Sequence, residues 1–136
     1  ISLPVDWLKH IAIIDTPGTN AIYSHHEKIT TQVIPRSDLI IFVTSVERPI
    51  TESEASFLRK ICEWGKKIIV VVNKIDTVSP REREEILSYV SQHCSSIIGV
   101  SYPIPVFGLS SRVGLQAKLK GKILPSSSSS SLSSNT

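Results

Sequence analysis

Short apolar runs alternate with amphipathic stretches along most of the chain. His10–Ile14, Leu39–Val43 and Lys67–Val72 are of strand length, nearly free of polar interruptions, and bounded by turn residues. That pattern predicts strands buried on both faces of a parallel sheet. A weaker fourth run, Val106–Leu109, follows Pro103-Ile104-Pro105. Between the runs lie helical patterns. Thr51-Glu52-Ser53-Glu54 has the form of a capping box, in which the Thr51 hydroxyl accepts from the Glu54 amide while Glu54 reaches back. Ala55, Leu58, Ile61 and Trp64 then recur at helical spacing up to Gly65, the expected stop. Ser79-Pro80-Arg81-Glu82 repeats that start with proline at the first helical position, and Ile86, Leu87, Val90 and Cys94 form its apolar stripe. The stretch from Ser24 to Val33 is a poorer helix closed by Pro35, and a last helix is expected from about Gly114.

Strands alternating with crossover helices predict an α/β fold with a doubly wound, mostly parallel sheet. Residues 1–124 read as one folded unit. Residues 125–136 are nearly all serine and cannot bury enough apolar surface to offset ordering entropy, so a disordered tail is expected. The chain starts Ile-Ser-Leu and contains no methionine, which points to an excerpt of a longer protein.

Composition narrows the partners. The net charge is +3, but the basic residues are scattered and not interleaved with aromatics, so nucleic acid is not expected as a partner. Cys62 and Cys94 form no C-x-x-C pair and read as buried, reduced thiols of an intracellular protein. No run is long enough to span a membrane, and no secretory signal is present.

In parallel α/β sheets ligands bind at the carboxyl ends of the strands. Three loaded loops fall there: Asp15-Thr16-Pro17-Gly18, Asn73-Lys74-Ile75-Asp76 and Ser110-Ser111-Arg112. The Asp15 carboxylate can hold magnesium, normally through water because that ion dehydrates reluctantly. Gly18 lets a backbone N–H approach a terminal phosphate. An Asx turn would use the same residues. Asp76 can accept from the N1–H and 2-amino group of guanine, a donor pair adenine lacks. The Lys74 stem can cover the base, and Asn73 can brace neighbouring loops. A polar loop leaving a strand is the plainer account of that segment. Ser110 and Ser111 are small enough for a backbone N–H to reach the guanine 6-oxo group, and are also ordinary loop composition. The pair His25-His26 followed by Glu27 suggests a solvated helix face rather than a metal site, because adjacent helical residues point apart. Ser110 lies in no G-x-S-x-G elbow.

Taken in order, Asp-x-x-Gly, Asn-Lys-x-Asp and Ser-Ser-Arg resemble the third, fourth and fifth motifs of P-loop GTPases. The stretches from Asp15 to Asn20, Pro35 to Val43, Arg48 to Glu54, Trp64 to Lys67 and Pro105 to Arg112 look like dynamin-like proteins of the mitofusin and fuzzy-onions-like branch. The likeness is greatest to its bacterial and chloroplast members, and runs from about Val5 to Leu119. It implies a partial P-loop GTPase domain that binds GTP with magnesium. The sites carried over are Asp15, Gly18, Asn73, Lys74, Asp76, Ser110 and Ser111, with Asp15 as the magnesium residue. It further implies self-association across the nucleotide face in the full-length protein, and fusion or remodelling of membranes, by resemblance those of the chloroplast thylakoid or envelope.

The 136 residues contain no G-x-x-x-x-G-K-[ST], and Thr19 stands where Ras-like enzymes carry a glutamine. The expectation is therefore a guanine-recognition half site without its amino-terminal phosphate-binding unit, with no catalytic residue of its own and no turnover alone. Two other readings stay open: a non-enzymatic truncated homologue that pairs with an intact GTPase, and a fragment of a ribosome- or translation-type small GTPase. A sheet without its first unit would also leave apolar strand surface uncovered.

Overall fold

The computed structural model describes residues 6–16 and 33–121. Gly18, His25, His26, the helix expected up to Val33 (beyond its last residue) and the serine-rich tail lie outside the described residues.

Among the described residues three strands form one parallel sheet in the order β1 (Leu39–Ser45), β2 (Lys67–Asn73), β3 (Val106–Gly108). Helices α1 (Glu52–Glu63) and α2 (Pro80–Ile98) make the crossovers, and α3 (Ser111–Leu119) follows β3. The architecture is the expected α/β one with parallel strands. Both expected capping boxes are present. Thr51 accepts from the Glu54 amide at 3.4 Å while Glu54 accepts from the Thr51 amide at 2.7 Å. Ser79 and Glu82 repeat the exchange at 3.3 and 2.9 Å, which holds the Glu82 carboxyl below its ordinary range. Reciprocal bonds of this kind satisfy amides that the first helical turn leaves without partners. Gly65 and Gly99 adopt positive φ just past α1 and α2, which ends both helices.

The core lies between the sheet and these two helices. Phe42, Val70 and Val72 on the sheet meet Ala55, Leu58 and Ile61 of α1 and Val90 and Cys94 of α2. Leu58, Ile61, Val70, Val72, Val90 and Cys94 are fully buried. Ile50 leads the chain into α1 with φ of 59°, costly for a β-branched residue, and its buried side chain helps hold it there.

Three expectations are corrected. His10–Ile14 is not a strand: residues 11–16 have no regular secondary structure, and Ile11, Ile13 and Ile14 are exposed. An apolar run becomes a strand only beside a ladder partner. Among the described residues β1 and β3 are the sheet's two edge strands, and neither pairs with this run. The strands are also not buried on both faces. Ile41, Val43 and Phe107 remain 61%, 57% and 56% exposed, because α1 and α2 cover only the opposite face. An uninterrupted apolar run fits either situation, since it records the side chains but not their cover. Finally, α3 begins at Ser111 rather than near Gly114, because Ser110 acts as its N-cap and accepts from the Val113 amide at 3.1 Å.

The two thiols differ more than expected. Cys94 is fully buried between α1 and α2, whereas Cys62 is only partly so. Desolvation, reinforced by the Glu54 carboxylate, pushes the Cys94 thiol up to about 11, while burial alone raises Cys62. Held so far above the ordinary thiol range, Cys94 carries about a hundredfold less reactive thiolate at neutral pH. Alkylation with iodoacetamide under native conditions, read by mass spectrometry, is expected to label Cys62 first. Cys94 should react only after denaturant is added, and equal native labelling would contradict this packing.

Candidate functional site

The carboxyl ends of β2 and β3 converge on one small region. β2 runs out at Asn73, and Lys74 turns the chain sharply in the left-handed region, φ 65° and ψ 26°. A short 3-10 turn, Ile75–Thr77, follows and is closed by the Thr77 amide and hydroxyl donating to the Lys74 carbonyl at 3.0 and 2.8 Å. This turn places Asp76 beside the start of α3. The Ile75 amide donates to the Leu109 carbonyl at 3.2 Å, tying the turn to the end of β3. A Cβ on Gly108 would lie 3.1 Å from Ile75 Cγ2, so the absent side chain is what lets these two segments approach.

Asn73 joins three loops. Its Oδ1 accepts from the Lys74 amide at 2.8 Å, the Ser111 amide at 3.1 Å and the Ser111 hydroxyl at 3.2 Å. Its backbone carbonyl accepts from the Val46 amide at 3.2 Å, which draws in the loop after β1. Asn73 thereby ties the end of β2 to the start of α3 and to the loop after β1.

Asp76 is only 14% exposed in its side chain, although it sits at the protein surface. Arg112 donates to its Oδ2 from Nε at 3.1 Å and, more closely, from Nη2. The Ser110 hydroxyl first, and the Arg112 guanidinium second, hold the Asp76 carboxyl below its ordinary range. It is therefore an ionised acceptor at neutral pH. The Lys74 ammonium pairs with Glu47 at 2.8 Å, both partly exposed, so its charge is directed away from Asp76 and toward the loop after β1. From α2, Arg83 donates to the Ile75 carbonyl at 3.3 Å and steadies the turn from behind.

The structure therefore brings Asn73, Lys74, Asp76, Ser110 and Ser111 together. Asp15 is the next-to-last residue of the 11–16 segment, exposed, and makes no hydrogen bond or ion pair with this group among the described residues. Gly18 lies outside the described residues. Sequence reasoning did not assign Glu47, Arg83 or Arg112. Glu47 and Arg112 lie 27 and 36 residues from the side chains they pair with, and no local pattern announces such partners.

Chemically, the cluster is a recessed carboxylate at a strand end, flanked by a long aliphatic stem and by the N-terminus of α3. The donor set it accepts best is a pair of adjacent N–H groups in one plane. The 2-amino and N1–H edge of guanine is such a pair, so these residues fit a guanine base. Among the described residues Asp15 offers one exposed carboxylate, and magnesium is commonly held by one or two carboxylates together with phosphates and water.

Comparison with known proteins gives a consistent picture. Residues 6–76 match the Dynamin family. The chain is 42% identical over 118 residues to the probable transmembrane GTPase FZO-like, chloroplastic, of Arabidopsis thaliana, covering 86% of this chain and 13% of that protein. It is 41% identical over 120 residues to an uncharacterized protein in the xynA 3' region of Caldicellulosiruptor sp., covering 88% of this chain and 30% of the other. Dynamin-like protein 1 of Campylobacter jejuni is 27% identical over 95 residues, covering 68% of this chain and 13% of that protein. The chain thus spans under a third of the length of each of these relatives.

Proposed function

This chain belongs to the dynamin family, and from that premise we propose that it is the guanine-reading part of a GTPase domain whose whole protein remodels or fuses membranes. The observation that carries the reading is the recessed, ionised Asp76 at the end of β2, braced against the start of α3 through Asn73 and Ser111. Asp76 accepts the N1–H and 2-amino group of guanine, and the Lys74 stem covers one face of the base. Asn73 holds the loops together, and the Ser110–Ser111 backbone meets the 6-oxo edge, the Ser111 amide leaving Asn73 Oδ1 to do so. In this reading Asp15 takes the magnesium role, through water, and the Gly18 backbone N–H the terminal-phosphate role. Magnesium, once bound with nucleotide, supplies charge neutralisation to the phosphates; the residues here select and orient the base.

Residues 1–124 form the partial GTPase domain and 125–136 a serine-rich tail. The 136 residues hydrolyse no GTP by themselves, since the sequence carries no lysine-bearing phosphate loop. In the complete protein, nucleotide binding drives self-association across this face, and membrane contact comes from other regions. Among the described residues no helix is long and apolar enough to cross a membrane. The Arabidopsis relative is named a chloroplastic transmembrane GTPase, which supports a chloroplast membrane as the place of action.

Titrating GDP and ADP into the chain, followed by amide chemical shifts, tests the base reading. GDP is expected to bind at least about tenfold more tightly, a difference of about 1.4 kcal/mol. Shifts should centre on Asn73–Asp76 and Ser110–Arg112. Equal affinities, or shifts confined elsewhere, would overturn it. A parallel phosphate-release assay is expected to show no turnover, and turnover abolished by Asp76→Ala would disprove the inactivity.

A further inference from the structure

Asp76 already has a partner with the chemistry of its proposed ligand. The Arg112 guanidinium directs two N–H groups, Nε at 3.1 Å and Nη2, at the same carboxylate oxygen, Oδ2. A guanidinium edge and the N1–H/2-amino edge of guanine are both planar pairs of N–H donors, and Arg112 places both of its donors on Oδ2, one of the two oxygens that the base edge needs. We infer that Arg112 is an internal competitor of the base, which guanine displaces on binding and which thereby sets the affinity of the site. This inference rests on Asp76 being the base acceptor.

Three observations carry it. The exposures are unequal: the Asp76 side chain is 14% exposed and that of Arg112 70%, so the acceptor is fixed while the guanidinium can swing into solvent. Arg112 is also the second residue of α3, where the positive end of the helix dipole disfavours a cation. Helix electrostatics therefore do not hold it in place, and the pair with Asp76 is the interaction that does. Of the other nearby cations, Lys74 is engaged by Glu47 at 2.8 Å and Arg83 donates to the Ile75 carbonyl at 3.3 Å, which leaves Asp76 to Arg112. Because the pair is partly exposed, it is weak enough for a ligand to break.

The test titrates GDP into the full chain by NMR, following amide shifts and the Arg112 Nε–H resonance, for wild type, Arg112→Ala, Arg112→Gln and Asp76→Ala. Removing the competitor is expected to tighten GDP binding by about two- to fivefold in both Arg112 variants. In wild type, the Nε–H resonance should move to a solvent-exposed position as GDP saturates. The advantage of the variants should shrink at about 1 M salt, where the ion pair is screened. If Asp76→Ala weakens GDP binding about tenfold or more but the Arg112 variants bind equally or more weakly than wild type, the competition is wrong and the base reading stands. Should Asp76→Ala bind GDP like wild type, or no chain respond to GDP, the base reading falls and takes the competition with it.

Discussion

Asp76→Ala is expected to weaken GDP binding by about one to two orders of magnitude while leaving the fold intact. A hydrogen bond to a charged acceptor is worth on the order of tenfold or more in affinity. Asp76 is placed to accept two of them. The change also strips the discrimination against adenine, so the ratio of GDP to ADP affinity should fall toward one. Isothermal titration with both nucleotides measures it, and circular dichroism confirms that the helices persist. An unchanged GDP-to-ADP ratio would remove Asp76 from the base site. The same carboxylate sets an acid limit. Its pKa in the folded chain lies below the unfolded value of about 3.9, so the stabilisation from Ser110 and Arg112 is complete above that value. It is lost as pH falls through the lowered folded value, and base binding should be lost over the same strongly acidic range.

The second large effect concerns the side of the sheet on which stability resides. Leu58 is fully buried under α1 against the sheet. Leu58→Ala is expected to cost about 2–5 kcal/mol, from lost transfer energy and the cavity left behind. Domains of this kind are commonly stable by about 5–15 kcal/mol in total, so this single change removes a large share. On the open face, Ile41 is 61% exposed. Ile41→Thr should shift stability by no more than about 0.5 kcal/mol, because little of this side chain is removed from water on folding. Urea unfolding followed by circular dichroism compares the two. Equal destabilisation would mean that the open face is as well packed as the covered one.

Local signals were legible where the physics is local. Thr51 and Glu54, and Ser79 and Glu82, announced two helix starts because a capping box is satisfied within four residues. β2 was evident from its run of β-branched residues ending in Asn73. His10–Ile14 was misread because strand formation depends on a neighbour, and the sequence of a run does not contain its neighbour. For the same reason Ile41 and Val43 looked buried. Their apolarity records a demand for cover that α1 and α2, packed on the opposite face, do not meet. At the candidate site, the residue types at the ends of β2 and β3 were readable, and so was their meeting at one sheet edge. The pairing of Arg112 with Asp76 and of Glu47 with Lys74 was not, since each depends on how two loops fold toward one another. Nor was the left-handed turn at Lys74, a conformation lysine adopts uncommonly.

Asn73 draws together segments 38 residues apart by receiving both the amide and the hydroxyl of Ser111 on one oxygen. Such a site exists in the folded chain and dissolves in the unfolded one. A nucleotide that occupies it therefore acts on the folding equilibrium as well as on its own binding. By mass action, ligand at about a hundred times its dissociation constant adds roughly 2.7 kcal/mol to the folded state. The guanine base would thus serve this chain as a removable cross-link between its second and third strands.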